Sequence, residues 1–204
     1  MFSRYAEGYG TAAKFNKLTG LAFLSPTMLI FADLGNHCLR FVDFTTNPPS
    51  TTRFAGKCGT SGFVQGHRLY DARIYFPKSI AVSNNNLLVY FVENDKKSVH
   101  EINLESDELK LVKTFSEELH GLLFYNNALY ATLNSVKVIK INVETSADEN
   151  IAGGNLTGNA TGLFSETRFK NAQEFICWPD SQERLLLVAD KSNKRFVKNV
   201  NQTW

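Results

Sequence analysis

Histidines and carboxylates are the side chains in this sequence best suited to acid–base or metal chemistry, and their spacing supports neither. The four histidines are His37, His67, His100 and His120. No pair of them has the short spacing with which two imidazoles bind zinc. Only His120 and Glu174 stand beside the first apolar run of a repeat, whereas a calcium or zinc site needs at least three ligands. We therefore expect no catalytic residue, no metal and no cofactor.

Two aspartates stand at equivalent places, each directly after an apolar run. Asp33 is followed by Leu-Gly-Asn36-His37, and Asp190 is followed by Lys-Ser-Asn193. Glycine, asparagine and serine are typical of tight turns, in which a carboxylate accepts hydrogen bonds from the turn amides. We therefore predict that Asp33, Asn36, His37, Asp190 and Asn193 form structural turns.

The three cysteines leave two interpretations open. Cys38 and Cys58 are separated by a loop that a disulfide can close, with roughly 3 kcal/mol of stabilisation. Two buried free thiols are the alternative. Cys177 lies on a predicted inner strand, where it is expected to be a small core residue. A Cys38–Cys58 bridge favours secretion over an intracellular location.

Three Asn-x-Ser/Thr sequons begin at Asn155, Asn159 and Asn201. The first two share one polar loop rich in glycine and threonine, where a glycan would not disturb packing. If the protein is secreted, these asparagines are candidate glycosylation sites.

Basic residues concentrate in the loops between the second and third strands of two repeats. The loop-face binding candidates are Asp95, Lys96, Lys97, Lys191, Lys194 and Arg195. Such a face suits an acidic protein, a sulphated glycan or RNA, although a solvated rim explains the same residues. The net charge is only +2, and no aromatics alternate with these lysines, so nucleic acid is not the expected partner.

A repeated unit must position these residues. It consists of an apolar run, a tight turn and a second strand that opens with charge, and it occurs at 28–44, 87–103, 129–142 and 185–200. A further apolar run precedes each copy, nearly continuous in character, which predicts a first strand covered on both faces. A fourth, outer strand is expected at 51–56 and 149–153, each of which ends in Ala-Gly before a long glycine-rich loop. The middle unit has 109–115 at this place, without the glycine exit.

Four-stranded units at a period of about forty to sixty residues predict an all-β chain and a β-propeller. We expect one domain over residues 1–204, with units of roughly 8–56, 57–115, 116–153 and 154–204. About four blades are therefore present, which predicts a partial or incomplete ring. The longest apolar run is too short to span a membrane, so no membrane insertion is expected.

The strings Leu29–Arg40 and Leu187–Arg195 resemble the NHL repeat, which is named for its Asn-His-Leu core. The resemblance covers most of the chain and is poorest in the third unit, where the aspartate and asparagine of the turn are missing. NHL propellers are usually six-bladed, which implies a fragment or a divergent ring. The cysteine after His37, with a later Ala-Gly-x-Cys-Gly, is similar to secreted animal NHL proteins. The N-terminal ten residues lack the apolar centre of a secretory signal, so the protein is either cytosolic or a piece of a longer precursor. We favour the second interpretation, because the first unit begins at once and the last predicted strand ends at Trp204 without a closing element.

The resemblance implies a non-catalytic extracellular scaffold that binds a protein or glycan on a loop face. Two alternatives stay open. The first is a propeller enzyme of the amidating-lyase or lactonase-like type, and the second is an intracellular NHL module that binds RNA or targets a ubiquitin ligase. The oligomeric state is not indicated by the sequence.

Overall fold

The computed structural model describes residues 5–93, 97–154, 156–161, 166–179 and 184–198. The chain divides into two compact units, Met1–Phe115 and Ser116–Trp204. Each unit contains two antiparallel sheets, and each sheet is called a blade here. No helix among the described residues has the length and apolar character needed to cross a bilayer.

Blade 1 is a five-stranded sheet in the order β1-β5-β4-β3-β2. Its strands are β1 (Gly8–Tyr9), β2 (Leu18–Ser25), β3 (Met28–Asp33), β4 (Cys38–Asp43) and β5 (Ser50–Ala55). The strands β2 to β5 form the predicted meander. The short β1 was not predicted, and it places the N-terminal segment alongside the outer strand β5.

Blade 2 repeats this plan in the order β6-β10-β9-β8-β7. Its strands are β6 (Gly66–His67), β7 (Pro77–Val82), β8 (Leu88–Glu93), β9 (Ser98–Asn103) and β10 (Glu108–Thr114). Again a two-residue strand from the loop before the blade pairs with the outermost strand, here β6 with β10.

The second unit holds blades 3 and 4. Blade 3 has the order β11-β12-β13-β14, and the described part of blade 4 has the order β15-β16-β17. The strands are β11 (Leu119–Tyr125), β12 (Ala128–Leu133), β13 (Lys137–Asn142), β14 (Asp148–Gly153), β15 (Ala172–Pro179), β16 (Arg184–Asp190) and β17 (Arg195–Lys198).

The two faces of a blade have different neighbours, and we name them front and rear. In blade 1 the front face carries Ile30, Ala32 and Leu39, which form one buried core with Ile80 and Phe91 of blade 2. The latter two residues lie on the rear face of blade 2. Blade 1 therefore packs its front face on the rear face of blade 2, as stacked sheets of a repeat protein do.

The second unit uses the same arrangement. Tyr130 and Val138 lie on the front face of blade 3 and share a core with Val188 and Val197 on the rear face of blade 4. Cross-strand pairing confirms the equivalence, because Val188 is opposite Val197 as Phe91 is opposite His100. One type of interface, front against rear, thus holds each unit together.

The expectation that first strands are covered on both faces is wrong for β2. Leu21 is 62% exposed and Phe23 is 58% exposed, although both lie in a continuous apolar run. The structurally equivalent Ile80 of β7 is only 5% exposed, because its face meets blade 1. The sequence pattern is the same in both strands, and the difference comes from what covers the face.

The third unit, in which the turn aspartate is missing, has a leucine at the equivalent position. Leu133 lies opposite Leu119, as Asp33 lies opposite Leu18. Leu133, and not Thr132, is therefore the equivalent of Asp33. The buried Thr132 hydroxyl accepts a hydrogen bond from the Gly121 amide at 2.8 Å and donates to the Gln173 carbonyl at 2.9 Å, which ties blade 3 to blade 4.

A glycine allows the inner strands of each unit to approach closely. A Cβ on Gly20 of blade 1 would collide with the Lys78 carbonyl oxygen and the Ser79 backbone of blade 2. A Cβ on the equivalent Gly121 of blade 3 would collide with the Gln173 carbonyl oxygen of blade 4. Because the obstacles are backbone atoms, they cannot move aside as a flexible side chain would.

The substitution Gly20→Ala is therefore expected to lower the free energy of unfolding by about 1–3 kcal/mol, as overpacking a close contact does. Chemical denaturation followed by circular dichroism measures this change. Gly154→Ala is the matched control, because a Cβ there has no neighbour nearer than 3.9 Å. Equal stability of the Gly20→Ala variant and the wild type would show that the two inner strands are not held this closely.

Candidate binding face

The turns between second and third strands have the same backbone in blades 1 and 4. A short 3₁₀ segment follows the aspartate in each, Leu34–Asn36 and Lys191–Asn193. The next residue, His37 or Lys194, is left-handed, with φ of 58° and 51° respectively. We call these two segments the repeat turns, and the end of each blade that carries them the loop end.

A buried polar cluster holds the repeat turn of blade 1 against the N-terminal segment. The Asp33 carboxylate accepts hydrogen bonds from the Asn16 amide at 2.9 Å, from the Asn36 side chain at 2.8 Å and from Arg40 at 3.2 Å. Arg40 also donates to the carbonyl oxygens of Lys14 and Ala6, each at 2.6 Å. Both side chains of this ion pair are fully buried.

Blade 4 contains a second copy of this cluster. Asp190 accepts hydrogen bonds from the Lys170 amide at 3.1 Å, the Asn171 amide at 3.0 Å, the Asn193 side chain at 2.6 Å and Arg195 at 3.2 Å. Arg195 and Asn193 also donate to backbone carbonyls of the preceding loop, namely Gly158, Asn159 and Arg168. We call this arrangement of aspartate, asparagine and arginine the clamp.

The hydrogen bonds of the clamp differ in one detail from the role predicted for the two aspartates. Neither Asp33 nor Asp190 caps the amides of its own turn. Each carboxylate instead accepts amides from the segment that leads into the first strand. Burial alone would raise the pKa of Asp190, but the hydrogen bonds from Asn171, Asn193, Lys170 and Arg195 outweigh it and hold the pKa below its usual value.

The arginine of the clamp comes from different strand positions in blades 1 and 4, and the cross-strand pairing shows the difference. Arg195 lies directly opposite Asp190, whereas Cys38 occupies that position opposite Asp33. In blade 1 the arginine comes from Arg40, two residues further along β4. Cross-strand pairing places Arg40 opposite Phe31, and nothing in its local sequence shows that its side chain is completely buried.

Blade 2 has a variant of the clamp in which a histidine replaces the arginine. Glu93 accepts the Tyr75 amide at 2.6 Å and lies 3.4 Å from the His100 Nε2 atom. His100 Nε2 also lies 2.8 Å from the Ser98 hydroxyl. Because Ser98 and Glu93 approach the same ring nitrogen, these residues do not have the geometry of a catalytic triad, in which the acid and the nucleophile contact different nitrogens.

A disulfide fastens the loop end of blade 1. Cys38 and Cys58 are bonded, which confirms the bridge and removes the free-thiol alternative for this pair. The bridge holds the loop after β5 against the repeat turn, where the Gly59 amide also donates to the Asn36 carbonyl at 2.8 Å. The side chain of Cys177 lies outside the described part of the structure.

An aromatic cluster lies beside this disulfide. The ring centroid of His37 is 4.4 Å from that of Phe76 and 5.7 Å from that of Tyr75. Burial lowers the pKa of His37 below its usual value, and the charge of Glu93 opposes this shift in part. Tyr75 and Phe76 were not among the predicted site residues, because nothing in their local sequence shows that a distant turn brings His37 onto them.

Exposed lysines surround both repeat turns. In blade 1, Lys17 accepts the Leu34 amide with its carbonyl oxygen and Lys57 precedes the bridged Cys58. In blade 4, the exposed lysines are Lys170, Lys191 and Lys194. The clamp holds the backbone beside the lysines of blade 4 and beside Lys17, and the disulfide holds the backbone beside Lys57, so these side chains project from ordered segments.

The predicted loop-face binding residues differ in how exposed they are in the structure. Lys191 and Lys194 are exposed, and Lys97 is half-buried. The guanidinium of Arg195 is engaged in the clamp, so we leave it out of the candidate binding face. Asp95 and Lys96 lie outside the described residues.

The sequon at Asn159 lies in the loop that the second clamp holds. Its side chain is exposed, and its carbonyl oxygen accepts a hydrogen bond from Arg195 at 2.6 Å. Asn155 and Asn201 lie outside the described residues. Within the described ranges, no group of three or more histidine, cysteine, aspartate or glutamate residues is placed to hold a metal ion.

Comparison with known proteins informs the fold. The sequence matches no family model and no curated protein. A chain of the nidogen/laminin complex aligns with a TM-score of 0.57 and 12% identity over 92% of this chain and 68% of that chain. An auxiliary nutrient binding protein from Bacteroides ovatus gives a TM-score of 0.56 and 12% identity over 89% of this chain and 55% of that chain.

The computationally designed Ika4 protein aligns with a TM-score of 0.52 and 11% identity, over 90% of each chain. This chain thus spans about two thirds of the nidogen/laminin neighbour and about half of the nutrient binding protein. Identities this low carry information on fold alone. With its four antiparallel sheets, the chain has the predicted all-β fold of the β-propeller class.

Proposed function

We propose that this protein is a non-catalytic extracellular scaffold that binds an acidic protein surface at its loop ends. The observation that carries the proposal is the set of exposed lysines around two clamped repeat turns. Turns held by buried hydrogen bonds present their side chains with little entropy left to lose on binding. The carboxylates nearest these turns, Asp33 and Asp190, are occupied by structural hydrogen bonds.

Two further observations support an extracellular location. The Cys38–Cys58 disulfide is a type of bond that persists in oxidising compartments. Asn159 belongs to a sequon and is exposed, as a glycan acceptor must be. The structural neighbour from the nidogen/laminin complex belongs to an assembly of two proteins, which favours a protein partner over a glycan.

A charge-removal experiment tests the binding face. The double variant Lys191→Gln/Lys194→Asn removes two exposed charges, and asparagine tolerates the left-handed backbone of position 194. Fluorescence anisotropy measures binding of a labelled oligoglutamate peptide, which stands in for an acidic protein surface. We expect affinity to fall about 3- to 10-fold, because exposed ion pairs each contribute modestly.

Lys140→Gln is the matched control, since Lys140 is also partly exposed but lies on β13 beside Glu149. This variant should bind the peptide as the wild type does. Equal loss in both variants, or no binding of the peptide at all, would remove the loop end as the site. Tighter binding of heparin fragments or of single-stranded RNA than of the peptide would replace the protein partner by a glycan or by RNA.

A further inference from the structure

The loop that leads into the first strand has the same backbone pairing in blades 1, 2 and 4, and we call it the lead loop. A hydrogen-bonded pair of residues closes each lead loop, namely Ala6 with Lys14, Val64 with Arg73 and Ala160 with Arg168. The second member of each pair precedes by four residues the strand residue that lies opposite the clamp acid. The residues directly before the first members are therefore equivalent, and they are Tyr5, Phe63 and Asn159.

In blades 1 and 2 the residue at this position is aromatic and packs on the basic group of the clamp. The ring centroid of Tyr5 is 4.9 Å from the central carbon of the Arg40 guanidinium. The ring centroid of Phe63 is 4.3 Å from that of His100. Both rings are half-buried, whereas the side chain of Arg40 is fully buried and that of His100 is 1% exposed. The ring thus shields the basic group from water.

Blade 4 has no ring at this position. The Asn159 carbonyl oxygen accepts a hydrogen bond from Arg195 at 2.6 Å, which places the residue directly beside the clamp. The Asn159 side chain is exposed and forms no hydrogen bond with the described residues. The Arg195 side chain is 20% exposed. The clamp of blade 4 therefore has an exposed asparagine and a partly exposed arginine where the other two have a ring and a buried basic group.

The residue that replaces the ring is also the first residue of a sequon, Asn159-Ala160-Thr161. The Thr161 side chain is exposed as well, and it too forms no hydrogen bond with the described residues. A sugar on Asn159 is thus compatible with the folded chain. A pyranose ring has about the size of an aromatic ring, and its oxygen atoms can accept hydrogen bonds from a guanidinium, which has five N–H donors.

We propose that Asn159 carries an N-linked glycan whose first sugar covers Arg195, at the place where Tyr5 covers Arg40. The inference rests on the extracellular location in the proposed function, because secreted proteins carry this modification. The sugar shields the hydrogen bonds between Arg195 and Asp190 from water. The glycan therefore stabilises the loop end of blade 4.

Site-specific mapping tests whether Asn159 is glycosylated. The full chain, fused to a secretory signal, is produced in cultured animal cells and treated with peptide N-glycosidase, which converts a glycan-bearing asparagine into aspartate. We expect aspartate at position 159 in the wild type and in Thr161→Ser, which keeps the sequon. Thr161→Ala destroys the sequon and should retain asparagine. A wild type in which residue 159 stays asparagine would overturn the proposal.

Hydrogen exchange tests whether the glycan covers the clamp. The amides of Lys170 and Asn171 donate to Asp190, so their exchange reports on the clamp of blade 4. They should exchange about 2- to 5-fold faster in Thr161→Ala than in the glycosylated wild type, the effect expected for loss of a ring-like cover on an exposed cation. All chains in this comparison carry Asn155→Gln and Asn201→Gln, so that Asn159 is the remaining sequon.

Two controls separate the glycan from the substitution. The Asn16 amide, which donates to Asp33 in blade 1, should exchange at the same rate in both proteins. The same two proteins made in the bacterial periplasm, without glycans, should also exchange alike at Lys170 and Asn171. Equal exchange in the glycosylated and the glycan-free protein would show that the sugar leaves Arg195 uncovered. Neither measurement involves peptide binding, so failure here is distinguishable from failure of the proposed binding face.

Discussion

Replacing Asp33 by asparagine is expected to lower the free energy of unfolding by about 3–5 kcal/mol, because the change leaves a buried guanidinium without its counter-charge. Asp33 and Arg40 are both fully buried and lie 3.2 Å apart. Asparagine preserves the shape of the side chain, so the loss reports on charge and hydrogen bonding. Denaturation with urea, followed by far-ultraviolet circular dichroism, measures the change.

The double variant Asp33→Asn/Arg40→Met separates the ion pair from the rest of the cluster. Removing both charges should destabilise the protein less than Asp33→Asn alone, since no unpaired charge is then buried. Asp43→Asn is a suitable control, because Asp43 lies in the same blade and its carboxylate accepts hydrogen bonds only from Thr45 among the described contacts. If Asp33→Asn were as stable as the wild type, the clamp would not hold the N-terminal segment in solution.

Loss of the disulfide is expected to have the second largest effect. The variant Cys38→Ala/Cys58→Ala should lose about 3 kcal/mol of stability, since the bond closes a loop with a sequence separation of 20 and restricts the unfolded chain accordingly. Guanidinium denaturation without reductant measures the difference. Hydrogen exchange should increase most in the loop after β5, where the bridge fastens Cys58.

The reductant itself provides the control for this prediction. Dithiothreitol should shift the denaturation midpoint of the wild type toward that of the double variant, and it should leave the double variant unchanged. A wild type that is insensitive to the reductant would show either that the bond is absent or that it contributes nothing measurable to stability.

In blade 1 the clamp and the disulfide hold the same loop end, which carries some of the proposed binding lysines. Arg40 and Asp33 hold the segment around Asn16, and the bridge holds the segment around Cys58. Lys17 and Lys57 lie in these two segments. Variants that remove the clamp or the disulfide are therefore expected to lower stability and also to displace these lysines. Variants that replace only an exposed lysine are expected to change binding without lowering stability.

Local sequence was sufficient to predict the positions of the strands and the disulfide bond. The apolar runs, the turn residues after them and the outer strands at 51–56, 109–115 and 149–153 all correspond to observed strands. Period-two alternation, β-branched residues and turn-forming residues act over a few neighbours, so they are readable without knowledge of the fold. The Cys38–Cys58 bridge also belongs to one repeat and its exit loop.

Contacts between distant segments were not readable in the same way. The burial of Arg40 depends on carbonyl oxygens of Ala6 and Lys14, which reach it only after the N-terminal segment pairs with blade 1. The close approach at Gly20 depends on the backbone of Lys78 in the next blade. In the third unit, only cross-strand register shows that Leu133 is the equivalent of Asp33.

By itself the sequence determined the all-β class, the number of repeats, the turn positions and the cysteine pair, because each of these follows from the period and type of nearby residues. The tertiary structure decided which apolar faces are covered. Leu21 and Ile80 occupy the same place in nearly identical strands, yet only Ile80 is buried. The residues of a strand show that one of its faces is apolar. Whether another sheet covers that face depends on packing between segments far apart in the chain.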